Sequence, residues 1–425
     1  MNKQDENKSV SDVTQTLLDY IKKQGLENNI HPQSLSKYSK KFLEKLLKQI
    51  SSAQEGWNPT SISMKFSNIS KNSKNFPKGS DFSYSPIEIQ TEIENMDKLC
   101  CSVSFKINER EFDIAIVAPQ KKQYAKSYFT WCIQKIYIWL SVCSQHAREK
   151  CSQKMNIYIY FTELKKTLPK DTTQHLDEIN VNTAFTTACK SVTELHLLRH
   201  EEWFKVLIHE TFHNMGLDFS EFNQENTKGA MLDIFPVKSD VRLFETYCEL
   251  WAEVINVLFI AFFTEKENGK VENLDQIIKH AETMIHKEQI FSLFQCSKIL
   301  YYFGMDYEDL YRKGDDCDVI RGRQYKEKTQ VLSYYILKSI LFFFFDDFVS
   351  WCIKHNTNET LDFNKDPAKL KSTLESYCDL IKTRYESYDF IKCMNYLKRR
   401  FSDMSQSELN TMEAQTLRMT VHELL

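Results

Sequence analysis

The sequence predicts an α+β protein, predominantly helical, and three observations carry that expectation. Glycine and proline are scarce, 9 and 8 in 425 residues, while Phe (29) and Tyr (20) are abundant, a composition that suits buried helices. Runs of β type are confined to the stretch between Ile87 and Leu198. From residue 266 onward the pattern is almost entirely helical, with breaks near Gly304, Gly314–Gly322 and Asn356–Pro367.

Taken in order, residues 1–54 form an N-terminal helical segment with basic, amphipathic patterns (VTQTLLDYIKK and SLSKYSKKFLEKLLKQI). Residues 55–85 are rich in Ser, Asn, Lys and Pro and are expected to be a linker or long loop. Strands are expected at Ile87–Ile93, Cys100–Ile107 and Phe112–Ala118, with Asn108-Glu109-Arg110 as a tight connection between the last two. A helix over Tyr124–Lys150 follows, then a strand over Met155–Thr162, rich in Ile and Tyr. Val181–Thr187 and Glu194–Leu198 add a hairpin. An unpaired edge there suits strand addition by an extended peptide, and an ordinary closed edge fits the same residues.

The next helix carries the chemistry. Within EEWFKVLIHETFHNMGLD, His209 and His213 are four apart and therefore share one helical face. Two imidazoles so placed can bind one Zn²⁺, and Glu210 projects beside the metal-bound water, where a carboxylate can take its proton. A random chain of this composition would contain H-E-x-x-H roughly 0.02 times, which favours a metal site over accident. Glu201 and Glu202 suit the helix's first turn. Trp203, Val206, Leu207 and Met215, mixed with Phe204, Ile208 and Phe212, make the helix apolar nearly all round, hence buried. Gly216 falls where a glycine ends a helix in the left-handed conformation.

A catalytic zinc takes three protein ligands and a water, so a third is needed. Downstream, in VRLFETYCELWAEVIN, Glu245, Glu249 and Glu253 form one carboxylate row at i, i+4 and i+8. A solvated helix face is the ordinary meaning of such a row. This one borders a helix that stays apolar through Leu258–Phe263, which argues for partial burial. An oxyanion donor is expected nearby. Tyr247, Arg242, Arg199 and His200 are near in sequence; Tyr247 reads better as a core aromatic, and none is assigned.

Glu249-Leu250-Trp251-Ala252-Glu253 resembles the E-x-x-A-[DE] second motif of gluzincin metallopeptidases, the group that includes thermolysin-like, aminopeptidase-type and anthrax-lethal-factor-like enzymes. The resemblance implies Glu249 as the third zinc ligand, Glu253 as an acid that orients a metal-binding histidine, and one Zn²⁺ per chain. Glu245 is the alternative third ligand in a register shifted by one turn; Ala252 beside the acid favours Glu249. The metzincin pattern fails, because its third-ligand position is Phe219; Asp218, one residue short, is left as a loop or supporting residue. The segment Glu194–Ser220 is similar to uncharacterised zincin-like proteins of giant DNA viruses. These resemblances imply a zincin-like catalytic domain over 86–265, with a small mixed sheet and the motif helix, flanked by helical regions that include a C-terminal domain over 266–425. They imply a metallopeptidase, an endopeptidase in expectation, that hydrolyses a peptide or protein substrate. A zincin-like binding or structural protein without turnover, and a zinc hydrolase of another substrate class, use the same residues.

Net charge −3 argues against a general nucleic-acid partner. The 12 cysteines show no C-x-x-C spacing and are expected to be free in a reducing, cytosolic-type compartment, a host cytoplasm or a virion. The polar start MNKQDENKSV has no signal-peptide core. The apolar runs Val254–Phe263 and Val331–Phe345 fall short of the ~18–20 uninterrupted apolar residues of a membrane span, so no span is expected.

Overall fold

The computed structural model describes residues 11–74, 76–267 and 273–424; the polar start of the chain lies outside the described residues. The chain divides into two compact units, one built from 45–165 and 182–221, the other drawn from 9–44, 166–181 and 222–425. Helix accounts for 57% of residues and strand for 12%, all of the latter in one mixed sheet, so the α+β, mainly helical expectation holds.

The first unit contains that sheet. Its strands are β1 (Lys65–Ile69), β2 (Lys98–Ile107), β3 (Arg110–Pro119), β4 (Lys154–Tyr160), β5 (Ala184–Thr186) and β6 (Val192–Leu197), in the order β1-β2-β3-β4-β6-β5. β2 and β3 are an antiparallel hairpin closed by the pair Ile107↔Arg110. Asn108, at φ 52, takes the left-handed conformation in that two-residue turn, which asparagine tolerates better than most residues. β3 and β4 run parallel, a pairing that requires a crossover. The helix Lys126–His146 supplies it, buried through Phe129, Ile133, Ile136 and Trp139. β4 and β6 are also parallel, and β5 returns antiparallel along β6 to form one sheet edge. The expected hairpin before the motif helix is therefore present.

One expected strand is a helix. Ile87–Asn95 is helical, with Pro86 at its N-cap. The run IEIQTEI alternates apolar and polar residues, but it also places Ile89 and Ile93 one helical turn apart. Both are 0% exposed, whereas Ile87 is 66% exposed. Glu and Gln between them favour helix over strand, and burial of a single helical stripe decides the outcome.

The second unit is helical; all six strands of the described residues belong to the first. Its two longest helices, Leu243–Glu267 and Leu274–Phe303, pack against each other, and Gly304 (φ 68) ends the second one. A π-helical turn over Leu332–Leu337 runs directly into the helix Lys338–Phe343. The segment Thr416–Leu424 threads through this unit with its backbone satisfied by side chains. Glu288 accepts from the Val421 and His422 amides at 2.8 and 2.9 Å, Lys298 Nζ donates to Thr416 O at 2.6 Å, and Tyr335 donates to Leu417 O at 2.6 Å.

Two further expectations change. The apolar stretch at Val254–Phe263 belongs to a longer helix, and Leu243–Lys266 is long and apolar enough to cross a membrane. The apolar window of that helix is wholly buried within the chain and the helix carries the row Glu245, Glu249 and Glu253, which matches a core helix. The cysteines are not all free: Cys151 and Cys189, 38 residues apart, form a disulfide, and the other ten are unbridged. Spacing could not reveal the pair: Cys151 precedes β4 and Cys189 precedes β6, and the parallel pairing of these two strands brings the cysteines together.

Candidate metal centre

The motif helix spans Trp203–Asn214, and every residue in it is buried. It starts two residues later than the sequence suggests. Glu202 is the N-cap, at φ 58, so Glu201 and Glu202 precede the first turn instead of filling it. Its far end matches the expected glycine stop. Gly216, at φ 64, donates to His213 O at 3.2 Å, and Leu217 donates to Phe212 O at 2.9 Å. This pair of bonds is a Schellman ending, which needs the left-handed residue glycine provides. Laterally the helix is fixed by Trp139, whose Nε1 donates to Thr211 Oγ1 at 2.7 Å.

The reversal after Gly216 brings Asp218 back against the helix. Asp218 Oδ2 lies 2.6 Å from His213 Nδ1, and its other oxygen accepts from Ser220 Oγ at 3.0 Å. A carboxylate accepts only, so Nδ1 carries the proton and, in the neutral imidazole, His213 Nε2 presents a lone pair. That nitrogen is 3.3 Å from His209 Nε2. Two nitrogens at about 2.05 Å from a tetrahedral zinc are themselves roughly 3.3 Å apart. Without a metal, one of the two Nε2 atoms must carry a proton for the same separation to be a hydrogen bond. The residues present thus fit a zinc ion, with an Asp–His pair that fixes ligand tautomer and ring orientation. Glu210, next in the helix to His209, is 8% exposed, so its carboxylate sits in a largely water-excluded place.

The carboxylate row lies in the second unit, on Leu243–Glu267, and it is not a solvated face. Glu245, Glu249 and Glu253 are 8%, 1% and 0% exposed. Glu245 Oε2 accepts from Tyr334 OH at 3.0 Å. Glu253 Oε1 is 2.6 Å from Lys338 Nζ, a fully buried ion pair. The acid seen on a candidate ligand histidine is therefore Asp218, while Glu253 serves a lysine of its own unit. Sequence reasoning set Asp218 aside because it missed the metzincin position. A glycine stop followed two residues later by an acid was the signal that could have found it.

The remaining candidates resolve as follows. Tyr247 is a core aromatic, as expected: its hydroxyl donates to Leu361 O at 3.0 Å and accepts from Asn356 Nδ2 at 2.7 Å, and burial pushes its pKa upward. Arg242 pairs with Asp240 at 2.8 Å. His200 Nε2 lies 2.7 Å from Tyr128 OH, and Arg199 is buried at 1% exposure.

Comparison with protein-family models, curated proteins and solved structures finds no match to this chain.

Proposed function

We propose that this chain is a zinc-dependent hydrolase of peptide bonds, with His209 and His213 among the metal ligands and Glu210 as the general base. The observation that carries the proposal is the convergence of the two Nε2 atoms at 3.3 Å, with Asp218 holding His213 by its other nitrogen. For the third ligand the gluzincin resemblance names Glu249, with Glu245 one turn earlier as the alternative.

Bound zinc would polarise a substrate carbonyl and lower the pKa of a coordinated water to about 7. The chain's own residues do the rest. His213 is kept in the tautomer that offers Nε2, Asp218 carries that orientation, and Glu210 takes a proton from water and passes it to the leaving amine. A peptide substrate in extended form suits the short edge strand β5, which follows from the sheet order.

Metal analysis of purified protein tests the proposal, with about one zinc per chain expected. His213→Ala should lose the metal. Glu210→Gln should keep it and lose cleavage of a peptide library by a factor of at least about 10². Metal-free protein at neutral pH would sink the metal site. Zinc-loaded protein with no chelator-sensitive cleavage would point to a binding protein.

A further inference from the structure

We propose that Cys151–Cys189 is a redox-operated clip on the C-terminal end of the motif helix, opened by an external dithiol. All the residues involved lie in the first unit. Two chain segments grip the end of the helix. On one side, Arg148 N donates to Met215 O at 3.3 Å and Ser152 Oγ donates to Asn214 O at 2.9 Å. On the other, Asn214 Nδ2 donates to Thr186 Oγ1 at 2.6 Å and to Thr187 O at 2.7 Å. The two segments meet through Ser152 N and Lys190 O at 2.6 Å. The disulfide joins them covalently. A Cβ built on Gly216 would lie 2.8 Å from Cys151 Sγ and 3.4 Å from Cys189 Cβ, so the helix stop is seated against the bridge itself. His213 is the residue before Asn214, so whatever loosens this end acts next to a proposed ligand.

The bridge is asymmetric, which gives the chemistry a direction. Cys151 is 0% exposed, whereas Cys189 is partly exposed. A thiolate of the dithiol attacks Cys189 Sγ, forming a mixed disulfide and releasing Cys151 as a thiolate that takes up a proton. The second thiol of the reagent then attacks its own sulfur, and Cys189 leaves as a thiolate. The reagent ends as its cyclic disulfide and the protein as two thiols, so electrons balance. The backbone of the buried side stays anchored after opening, because the Arg110 guanidinium donates to Cys151 O and, at 2.7 Å, to Arg148 O. The other arm is the more exposed, with Ala188 and Lys190 at the surface on either side of Cys189, and it is the arm that swings.

The helix-end function proposed here rests on the zinc reading only for its consequence, not for its test. Full-length protein is oxidised, then split into a sample treated with dithiothreitol and an untreated one, and both are followed by hydrogen exchange and alkylation mapping. Expected are a Cys151–Cys189 crosslinked peptide before reduction, alkylation of Cys189 ahead of Cys151 after it, and exchange at 186–190 and 214–217 faster by about tenfold or more. Cys189→Ala without reductant should reproduce the faster exchange, which separates bridge loss from reagent effects. No crosslinked peptide in oxidised protein, or equal exchange in both states, overturns the clip. If zinc is also followed, its release should quicken on reduction; protein that never holds zinc yet shows the exchange difference would sink the metal proposal and leave the clip standing.

Discussion

At the scale of single residues, hydrogen-bond capacity decides most roles. Asp218 can only accept, which sets the proton on His213 Nδ1 and leaves the lone pair on Nε2 in the neutral ring. Asp218→Asn should therefore weaken zinc binding by roughly 10–100-fold while the fold survives, measured by competition with a chromophoric chelator. An unchanged affinity would show that the Asp–His pair is structural only. His146, the last residue of the crossover helix, offers a second residue-level test. Burial, aided by Lys45, pulls its pKa from the usual 6.5 down to about 4. The native state thus prefers neutral imidazole, whereas the unfolded chain protonates near 6.5. The resulting stability is complete above pH 6.5 and is lost as pH falls towards 4, by at most about 3 kcal/mol. His146 Nε2 lies 3.1 Å from Gln49 Oε1, so His146→Gln keeps a donor there and should flatten this slope in denaturant titrations between pH 4 and 6.5.

At the scale of elements, endings and buried charges matter more than propensity. Gly216→Ala places a side chain at φ 64 and against Cys151 Sγ, so a loss of at least about 1–2 kcal/mol in unfolding free energy is expected. Stability within a few tenths of wild type would mean that the helix end relaxes freely. On the acidic helix, Lys338→Met would strand Glu253 as a buried carboxylate and should cost about 3–5 kcal/mol. The double change Lys338→Met with Glu253→Leu should recover most of that, because an apolar pair of similar volume replaces two desolvated charges. The same helix shows why a charge row misleads when read alone. Three glutamates at a four-residue spacing look solvated, yet all three are buried, and Glu245 and Glu253 meet partners from a distant part of the chain, Tyr334 and Lys338.

At the scale of the whole molecule, the proposed zinc site needs a third ligand, and two variants in the intact chain identify it. Glu249→Ala should abolish zinc retention and Glu245→Ala should spare it; the opposite result would shift the register by one turn. The helical bulk of the second unit was legible from its composition and its 3.6-residue periodicity, because burial of a helical face leaves a local trace. The sheet was legible for the same reason at Cys100–Ile107, Phe112–Ala118 and Met155–Thr162, where β-branched and aromatic residues cluster. Ile87–Ile93 was misread because a seven-residue run fits both periods, and only the surface it packs on chooses between them.

The placement of His209, Glu210 and His213 on one helix and the Gly216 stop were determined by the sequence itself, since residue spacing on a helix and a left-handed ending are local properties of the backbone. Asp218 against His213, the Lys338–Glu253 pair and the Cys151–Cys189 clip were decided only by the tertiary structure. In each case the partners meet through a chain reversal, a strand pairing or the packing of distant helices, and no periodicity records which side chains such a path will bring within hydrogen-bonding or covalent reach.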